Sequence, residues 1–387
     1  MRVVTYKYSA LERVVLGQPA AAAVVAEIER LDRRRVFIVT TRSVAASPPF
    51  AAIVEALAER CIGSYAEVTA HGPRECVIAG ADMARLVEPD LLLAVGGGSA
   101  IDATKLMLLC LRLGITGTAE LNAHRGFSTS EPSVRPADAS SWLRMVAVPT
   151  TLSAAEFTWF GGAYDVARRV KEPYGYPMMV PQAIILDPAV TLATPLPLFL
   201  STGMKAIDHA AERLASLLAE PLTEALSMQA LRLLSAGLLH VHQNPADLQA
   251  RLDCQTGMAI AMAGPDAGVG VGASHAIGHV LGGHSGVAHG NTSCILLPPV
   301  MRWNRPANDA RQRLISEGLG RPGIDAGTAL ADLIGRLELP RRLRDVGVCR
   351  EDFPGVAEKV LHDFAIRSNP RPVTAIEQII EILELAW

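Results

Sequence analysis

The chain has 387 residues and a formal net charge of −3, with half of its residues hydrophobic and 19% charged. That length exceeds what one ordinary core holds, so two domains are expected, and the hydrophobic share argues against extended disorder. No basic block could track a phosphate backbone, which argues against nucleic acid as a partner. Apolar runs such as "LLLAV" are too short to span a bilayer, and "MRVVTYKYSA" lacks the apolar core of a signal peptide. Cys61, Cys76, Cys110, Cys254, Cys294 and Cys349 are scattered without a C-x-x-C and read as reduced thiols of a cytoplasmic protein. Only five cations are lysine (Lys7, Lys105, Lys171, Lys205, Lys359) out of 36, so each lysine asks for a reason.

In chain order, "RVFIVTT" (35–41) reads as a buried strand and "PFAAIVEALAERC" as a helix. "DLLLAVGGGS" reads as a strand entering a glycine turn, "MVAVPTT" (145–151) as a further strand, and "QAIILDP" (182–188) closes the series. Such strand–helix alternation predicts a parallel α/β sheet. The polar stretch 125–140 between them reads as a surface loop. Three prolines in "DPAVTLATPLP" (187–197) mark a linker, after which β-branched runs nearly vanish and long helical patterns take over. The expected division is a dinucleotide-binding α/β domain over 1–193 and an all-helical domain over 194–387.

"LLLAVGGGSAIDATKLMLL" is a strand, three glycines, a serine and a helix. Glycines let a backbone approach a diphosphate, and a helix N-terminus offers unpaired N–H groups and the positive end of a dipole. The segment has neither the G-K-[ST] of a Walker loop nor a full G-x-G-x-x-G, because position 101 is Ile. On its own it equally describes a tight turn with close strand–helix packing.

The second half holds "HAIGHVLGGHSGVAH" (275–289), four histidines in fifteen positions. A zinc hydrolase of the H-E-x-x-H type would place a glutamate beside them. No Asp or Glu occurs between Asp266 and Asp309, so any carboxylate partner comes from elsewhere in the chain. His275 and His279, at i and i+4, share a helix face, and "GG" at 282–283 is expected to break that helix, leaving His284 and His289 on a loop or a new turn. Upstream, in "GMKAIDHAAE", Lys205 reads by its spacing as half of an exposed ion pair with Asp208 at i+3. His240 and His242 read as helix-surface residues.

Taken together, "VGGGSAIDATK", "VPTTLSAAEFT", "ILDPAVTLATP", "STGMKAIDHAAE", "SHAIGHVLGGHSGVAHG" and "NPRPVTAIEQIIEILELAW" resemble the iron-containing (group III) alcohol dehydrogenases, and among them most of all the maleylacetate reductases. The resemblance implies a dehydroquinate synthase-like architecture: a Rossmann-like parallel-sheet domain, a helical domain, and an active site in the cleft between them. It implies that Gly97, Gly98 and Ser99 hold the pyrophosphate of NADH or NADPH. Asp102, Thr150 and Thr151 would complete the cofactor site, with Lys171 by the nicotinamide. Where NAD-specific members often carry an aspartate that reads the ribose, this chain has Thr41 followed by Arg42. A neutral side chain beside a cation tolerates a 2′-phosphate, although Arg42 reads equally as a solvated loop cation.

The resemblance also implies a site on four side chains. The family's metal ligands, an Asp and three His, map onto Lys205, His209, His275 and His289, with His279 at the family's non-ligand histidine near the substrate. An ammonium has no lone pair to offer. At about 4 Å and an effective dielectric near 20, a +1/+2 pair costs on the order of 8 kcal/mol. We therefore expect an NAD(P)H-dependent reductase that sends hydride to a carbonyl or conjugated enone without a catalytic metal. Its substrate would be a small molecule, carboxylates included, with His279 as proton donor and Lys205, His209, His275 and His289 around the substrate. The expected assembly is a homodimer, away from membranes. The alternatives are an alcohol dehydrogenase using Zn or Fe on three histidines and a water, and a non-redox nucleotide-binding relative with lyase or isomerase activity.

Overall fold

The β-branched runs of the first half form strands β1 (Arg13–Leu16), β2 (Val36–Val39), β3 (Cys61–Tyr65), β4 (Leu91–Gly96), β5 (Arg144–Pro149), β6 (Phe160–Asp165), β7 (Val170–Gly175) and β8 (Ala183–Leu186). In this computed structural model, which describes residues 3–70, 72–126, 142–168, 170–262, 264 and 266–387, six of them make one parallel sheet in the order β1-β8-β5-β4-β2-β3. Strands β6 and β7 pair with each other as an antiparallel hairpin. The polar stretch expected over 125–140 lies, from residue 127 on, outside the described residues.

Helices α1 (Ala20–Arg30), α2 (Arg42–Ala45), α3 (Pro48–Leu57), α4 (Arg74–Val87), α5 (Gly98–Leu113) and α6 (Thr118–Asn122) belong to the same unit. Two cores explain why the central strands are apolar throughout. Leu91, Leu93 and Val95 of β4 pack on one face with Val24, Ile28, Ile53 and Leu57 of α1 and α3. Leu92 and Ala94 point the other way, into the core that holds Val77 and Ala81 of α4 and Ile101 of α5. A parallel sheet covered on both faces leaves no strand face for polar residues. The edge strands β1 and β3 are only partly buried, and their mixed sequences carry no such signal.

After the short 3-10 turn Pro188–Ala193 the chain becomes helical. The elements are α7 (Leu196–Ala215), α8 (Pro221–Gln243), α9 (Leu248–Met262), α10 (Ala273–Ser285), α11 (His289–Gly318), α12 (Ala326–Arg336), α13 (Phe353–Val360) and α14 (Ile376–Ala386). Helix α11 bends at Asn308, whose φ of −147° is not helical, two residues after Pro306. No strand occurs among the described residues beyond Leu186. None of the helices described is long and apolar enough to cross a membrane.

The chain divides into two compact units, Ser9–Thr194 and Pro195–Trp387, the second joined by the N-terminal residues up to Tyr8. That N-terminal stretch differs from the expectation that residues 1–193 form one domain. The physical reason is a pair of backbone hydrogen bonds between Lys7 and Asp266 and a hydrogen bond from the Tyr6 hydroxyl to Glu220, all within the helical unit.

Candidate active site

On α7, Lys205, Asp208, His209 and Glu212 stand at i, i+3, i+4 and i+7, the spacing of one helix face. Asp208, His209 and Glu212 are buried, whereas Lys205 is half-buried. Opposite them in the same unit, α10 carries His275 and His279, and His289 opens α11. The rings come together: His209 and His275 have centroids 4.5 Å apart, and His279 lies edge-on at 6.2 Å to both His275 and His289. The four histidines of the expectation thus share one cluster.

The glycine pair does not break α10, contrary to expectation. The helix runs through Gly282 and Gly283 to Ser285 and ends at Gly286, which adopts a left-handed φ of 68°. Gly282 is required by packing instead, since a Cβ there would stand 2.9 Å from Cε1 of His289. His284 therefore sits in the last helical turn, where it faces Lys359 and Asp352 near the surface.

The carboxylates missing from the histidine segment arrive from elsewhere. Glu212 accepts from Nδ1 of His275 at 2.8 Å, and the same carboxylate accepts the amides of Gly272 (2.7 Å) and Ser274 (2.8 Å) at the start of α10. Asp208 lies 3.7 Å from that Nδ1 and accepts from the Ser274 hydroxyl at 2.8 Å. Its complete burial corrects the reading of Lys205 and Asp208 as an exposed ion pair. Asp363 meets Nδ1 of His279 at 3.1 Å.

Burial and charge set different states on the neighbouring rings of His209 and His275. Burial, then the neighbouring His275 and Lys205, hold His209 well below the ordinary histidine value, so it stays neutral. Burial pulls His275 the same way, but the negative charge of Asp208 and the hydrogen bond and charge of Glu212 outweigh it and raise its pKa. Burial in turn pushes the Asp208 carboxyl up, against the opposing pull of His275. Among the described residues, Nδ1 of His209 and Nε2 of His275 are buried without a hydrogen-bond partner.

In the α/β unit, Gly97, Gly98, Ser99, Thr150 and Thr151 follow the ends of β4 and β5, whereas Lys171 comes from β7 and Thr41 follows β2. Gly96 has a φ of +153°, and a Cβ there would lie 2.8 Å from that of Ala100. A Cβ on Gly97 would meet Thr151 at 3.0 Å, and one on Gly98 the Ser153 hydroxyl at 2.9 Å. Glycine is thus needed for close approach to the 150–153 turn, and no side chain caps the N-terminus of α5 beyond it. Thr150 and Thr151 are buried beside this turn, following the end of β5. Asp102 and Lys171, both expected near the cofactor, pair with each other at 2.8 Å. Gly162 leaves room for that pair, because a Cβ there would collide with the Lys171 stem. Thr41 caps α2, and Arg42 pairs with Glu67, so the Arg42 charge is balanced on the surface.

Two features escaped the sequence reading. Lys105 is wholly buried, and its ammonium donates to the carbonyls of Ala155, Thr158 and Phe160 and to the Thr158 hydroxyl. Its signal was present, as one of only five lysines. The carboxylates on the histidines were also missed, although helical spacing puts Asp208 and Glu212 beside His209 on one face.

Residues 12–188 match the family model of the iron-containing alcohol dehydrogenases, and residues 199–387 match the C-terminal model of the Fe-containing alcohol dehydrogenase family. The chain belongs to the iron-containing alcohol dehydrogenase family. It is 34% identical to Dehydrogenase ALT3 of Alternaria alternata, over 91% of this chain and 98% of that one. It is 28% identical to Maleylacetate reductase 1 of Cupriavidus pinatubonensis, over 93% and 91% respectively. Among solved structures, a 1,3-propanediol oxidoreductase matches with a TM-score of 0.87 and 28% identity, covering both chains completely. The chain is therefore an enzyme, an NAD(P)-dependent oxidoreductase of this family acting on a small molecule.

A divalent cation fits these residues poorly. Lys205 brings an ammonium to the helix face that carries His209, and its charge acts on both His209 and His275. Among the described residues, one group of three or more His, Cys, Asp or Glu side chains has its ligand atoms within 4.8 Å of one another, and it is Asp208, Glu212 and His275 rather than the three histidines. Its carboxylates already serve Ser274 and the first amides of α10. A dinucleotide fits better: the glycine turn and uncapped helix N-terminus offer the backbone donors that a pyrophosphate takes.

Proposed function

We propose that this enzyme is an NAD(P)H-dependent reductase of the maleylacetate reductase kind, acting on a carbonyl or conjugated enone that carries a carboxylate, without a catalytic metal. One observation carries the reading: Lys205 stands a helical turn before His209, while the carboxylates of that helix are turned onto Nδ1 of His275. Lys205, and a His275 held toward its protonated form, thereby give the cluster cationic donors, which suit an anionic oxygen and oppose a metal ion.

When bound, the reduced nicotinamide supplies the hydride. Gly97, Gly98 and Ser99 hold the pyrophosphate at the α5 N-terminus, with Thr150 and Thr151 beside it. Asp102 and Lys171 complete that side as a neutral pair, and Thr41 replaces an acidic ribose reader. Lys205 and Nε2 of His275 donate hydrogen bonds to substrate oxygens as negative charge builds. His209, kept neutral, offers its unpartnered Nδ1, and His289 closes the cluster next to His279. His279 gives the proton that completes reduction.

The test is oxidation of NADH and NADPH by the chelator-treated enzyme across a panel of oxo-acids, carboxylated enones, aldehydes and simple ketones. Turnover is expected with the carboxylated carbonyls and enones. Activity confined to simple aldehydes and ketones and dependent on added Fe or Zn would overturn the reading.

A further inference from the structure

Asp363 divides its carboxylate between two tasks. Oδ1 accepts the Ala365 amide at 2.8 Å and caps the 3-10 turn Phe364–Ser368. Oδ2 meets Nδ1 of His279 at 3.1 Å. The cap fixes the carboxylate against its own backbone, and the Phe364 ring, stacked on His279 at 5.6 Å and 30°, fixes the plane of the imidazole. One ring nitrogen of His279 is thus committed to Asp363, leaving Nε2 for the substrate. The His279 side chain is 36% exposed, against 6% for His275, so solvent reaches it to replace a proton.

We propose that Asp363 is the positioning residue for proton transfer: it holds His279 in the Nδ1–H form and in a fixed plane, so that Nε2 is the atom that exchanges the proton with the substrate. The inference rests on the reading of His279 as the proton donor. The substrate takes the hydride of the reduced nicotinamide at carbon, and the doubly protonated ring gives its Nε2 proton to the substrate. This leaves oxidised nicotinamide and a neutral imidazole that keeps Nδ1–H on Asp363. Water then returns a proton to Nε2. The carboxylate holds the ring plane and the Nδ1–H tautomer through the step, as outer partners of catalytic histidines do.

Asp363→Asn separates this role from the cap, because its amide oxygen still accepts the Ala365 amide while the charge is lost. We expect kcat to fall about tenfold to a hundredfold. The KM values for cofactor and substrate should stay within about twofold, and the solvent deuterium isotope effect on kcat should rise as proton transfer becomes limiting. Asp363→Glu, which keeps the charge, should recover more of kcat than the amide does. Normal kcat in Asp363→Asn beside a crippled His279→Gln would overturn the positioning role alone. Normal kcat in both would overturn the reading of His279 itself. Loss of thermal stability and of kcat together in Asp363→Asn, with an unchanged isotope effect, would reduce Asp363 to a cap and also overturn the proposal.

Discussion

Glu212 ties the first turn of α10 to α7: one carboxylate accepts Nδ1 of His275 and the amides of Gly272 and Ser274. An acidic group at a helix N-terminus satisfies orphan amides and offsets the dipole, and here it also orients a site histidine. Glu212→Gln keeps the shape but offers one acceptor oxygen and a misplaced amide. We expect it to lose about 1–3 kcal/mol of stability and to lower turnover. Thermal unfolding followed beside steady-state rates checks both, and an unchanged melting temperature would contradict the role.

Lys105 anchors the 155–160 segment through four oxygen acceptors. Lys105→Met preserves the stem but leaves buried carbonyls unpaired, for a loss of roughly 3 kcal/mol. Burial, the dominant influence, brings its pKa down to about 8. The unfolded chain therefore binds the proton more tightly between about pH 8 and 10.5, and this group's contribution makes stability rise as pH climbs through that window. Urea unfolding of the wild type and Lys105→Met at pH 7.5 and 9.5 measures the difference, and a flat, unchanged stability would contradict it.

Glu220 caps α8, accepting the amides of Leu222 (2.8 Å) and Thr223 (2.7 Å) and the Tyr6 hydroxyl (2.6 Å). Burial opposes its charge, but those hydrogen bonds with the Thr223 hydroxyl prevail and bring its pKa down to about 2. A depressed carboxylate stabilises the fold above its unfolded value near 4.5 and loses that contribution as pH falls toward 2. Glu220→Gln should cost about 1 kcal/mol at neutral pH. The gap between it and the wild type should narrow in acid titrations followed by circular dichroism; a gap constant with pH would contradict the assignment.

The strands that a sequence can announce here are those buried on both faces, because β2, β4, β8 and β5 beyond Arg144 carry no charged side chain. Edge strands β1 and β3 follow no such rule and stayed silent. The histidines of the site were legible through the family resemblance, but their carboxylates were not. Helical phase puts Asp208 and Glu212 on the face of His209 without saying which ring of another helix they meet. Asp363 comes from an irregular turn 84 residues from His279 in sequence, where no periodicity exists to read. The Gly282–Gly283 pair misled because glycine serves helix ends and close packing alike, and here packing against His289 decides.

Arg42 pairs with Glu67 beside Thr41, and both side chains are at least half exposed. With Thr41 in place of an acidic ribose reader and the arginine already balanced, NADPH is expected to bind within about tenfold of NADH, a difference of about 1.4 kcal/mol. Glu67→Gln releases the arginine and should move the preference toward NADPH. Fluorescence titration with both nucleotides checks this; a hundredfold preference for NADH in the wild type would contradict it.

Lys205→Asp restores the anion that the family's metal site uses, so this variant should bind Zn or Fe more tightly than its parent. Equilibrium dialysis with each metal reads the gain, and equal binding by parent and variant would remove Lys205 from the site.

The most direct measurement is the metal content of the purified enzyme, taken together with its NAD(P)H-dependent turnover before and after treatment with chelator. The expected result is far less than one Zn or Fe per chain and a rate that chelator leaves unchanged. One metal per chain, or a rate abolished by chelator and restored by Zn or Fe, would contradict the assignment of Lys205 in place of the metal.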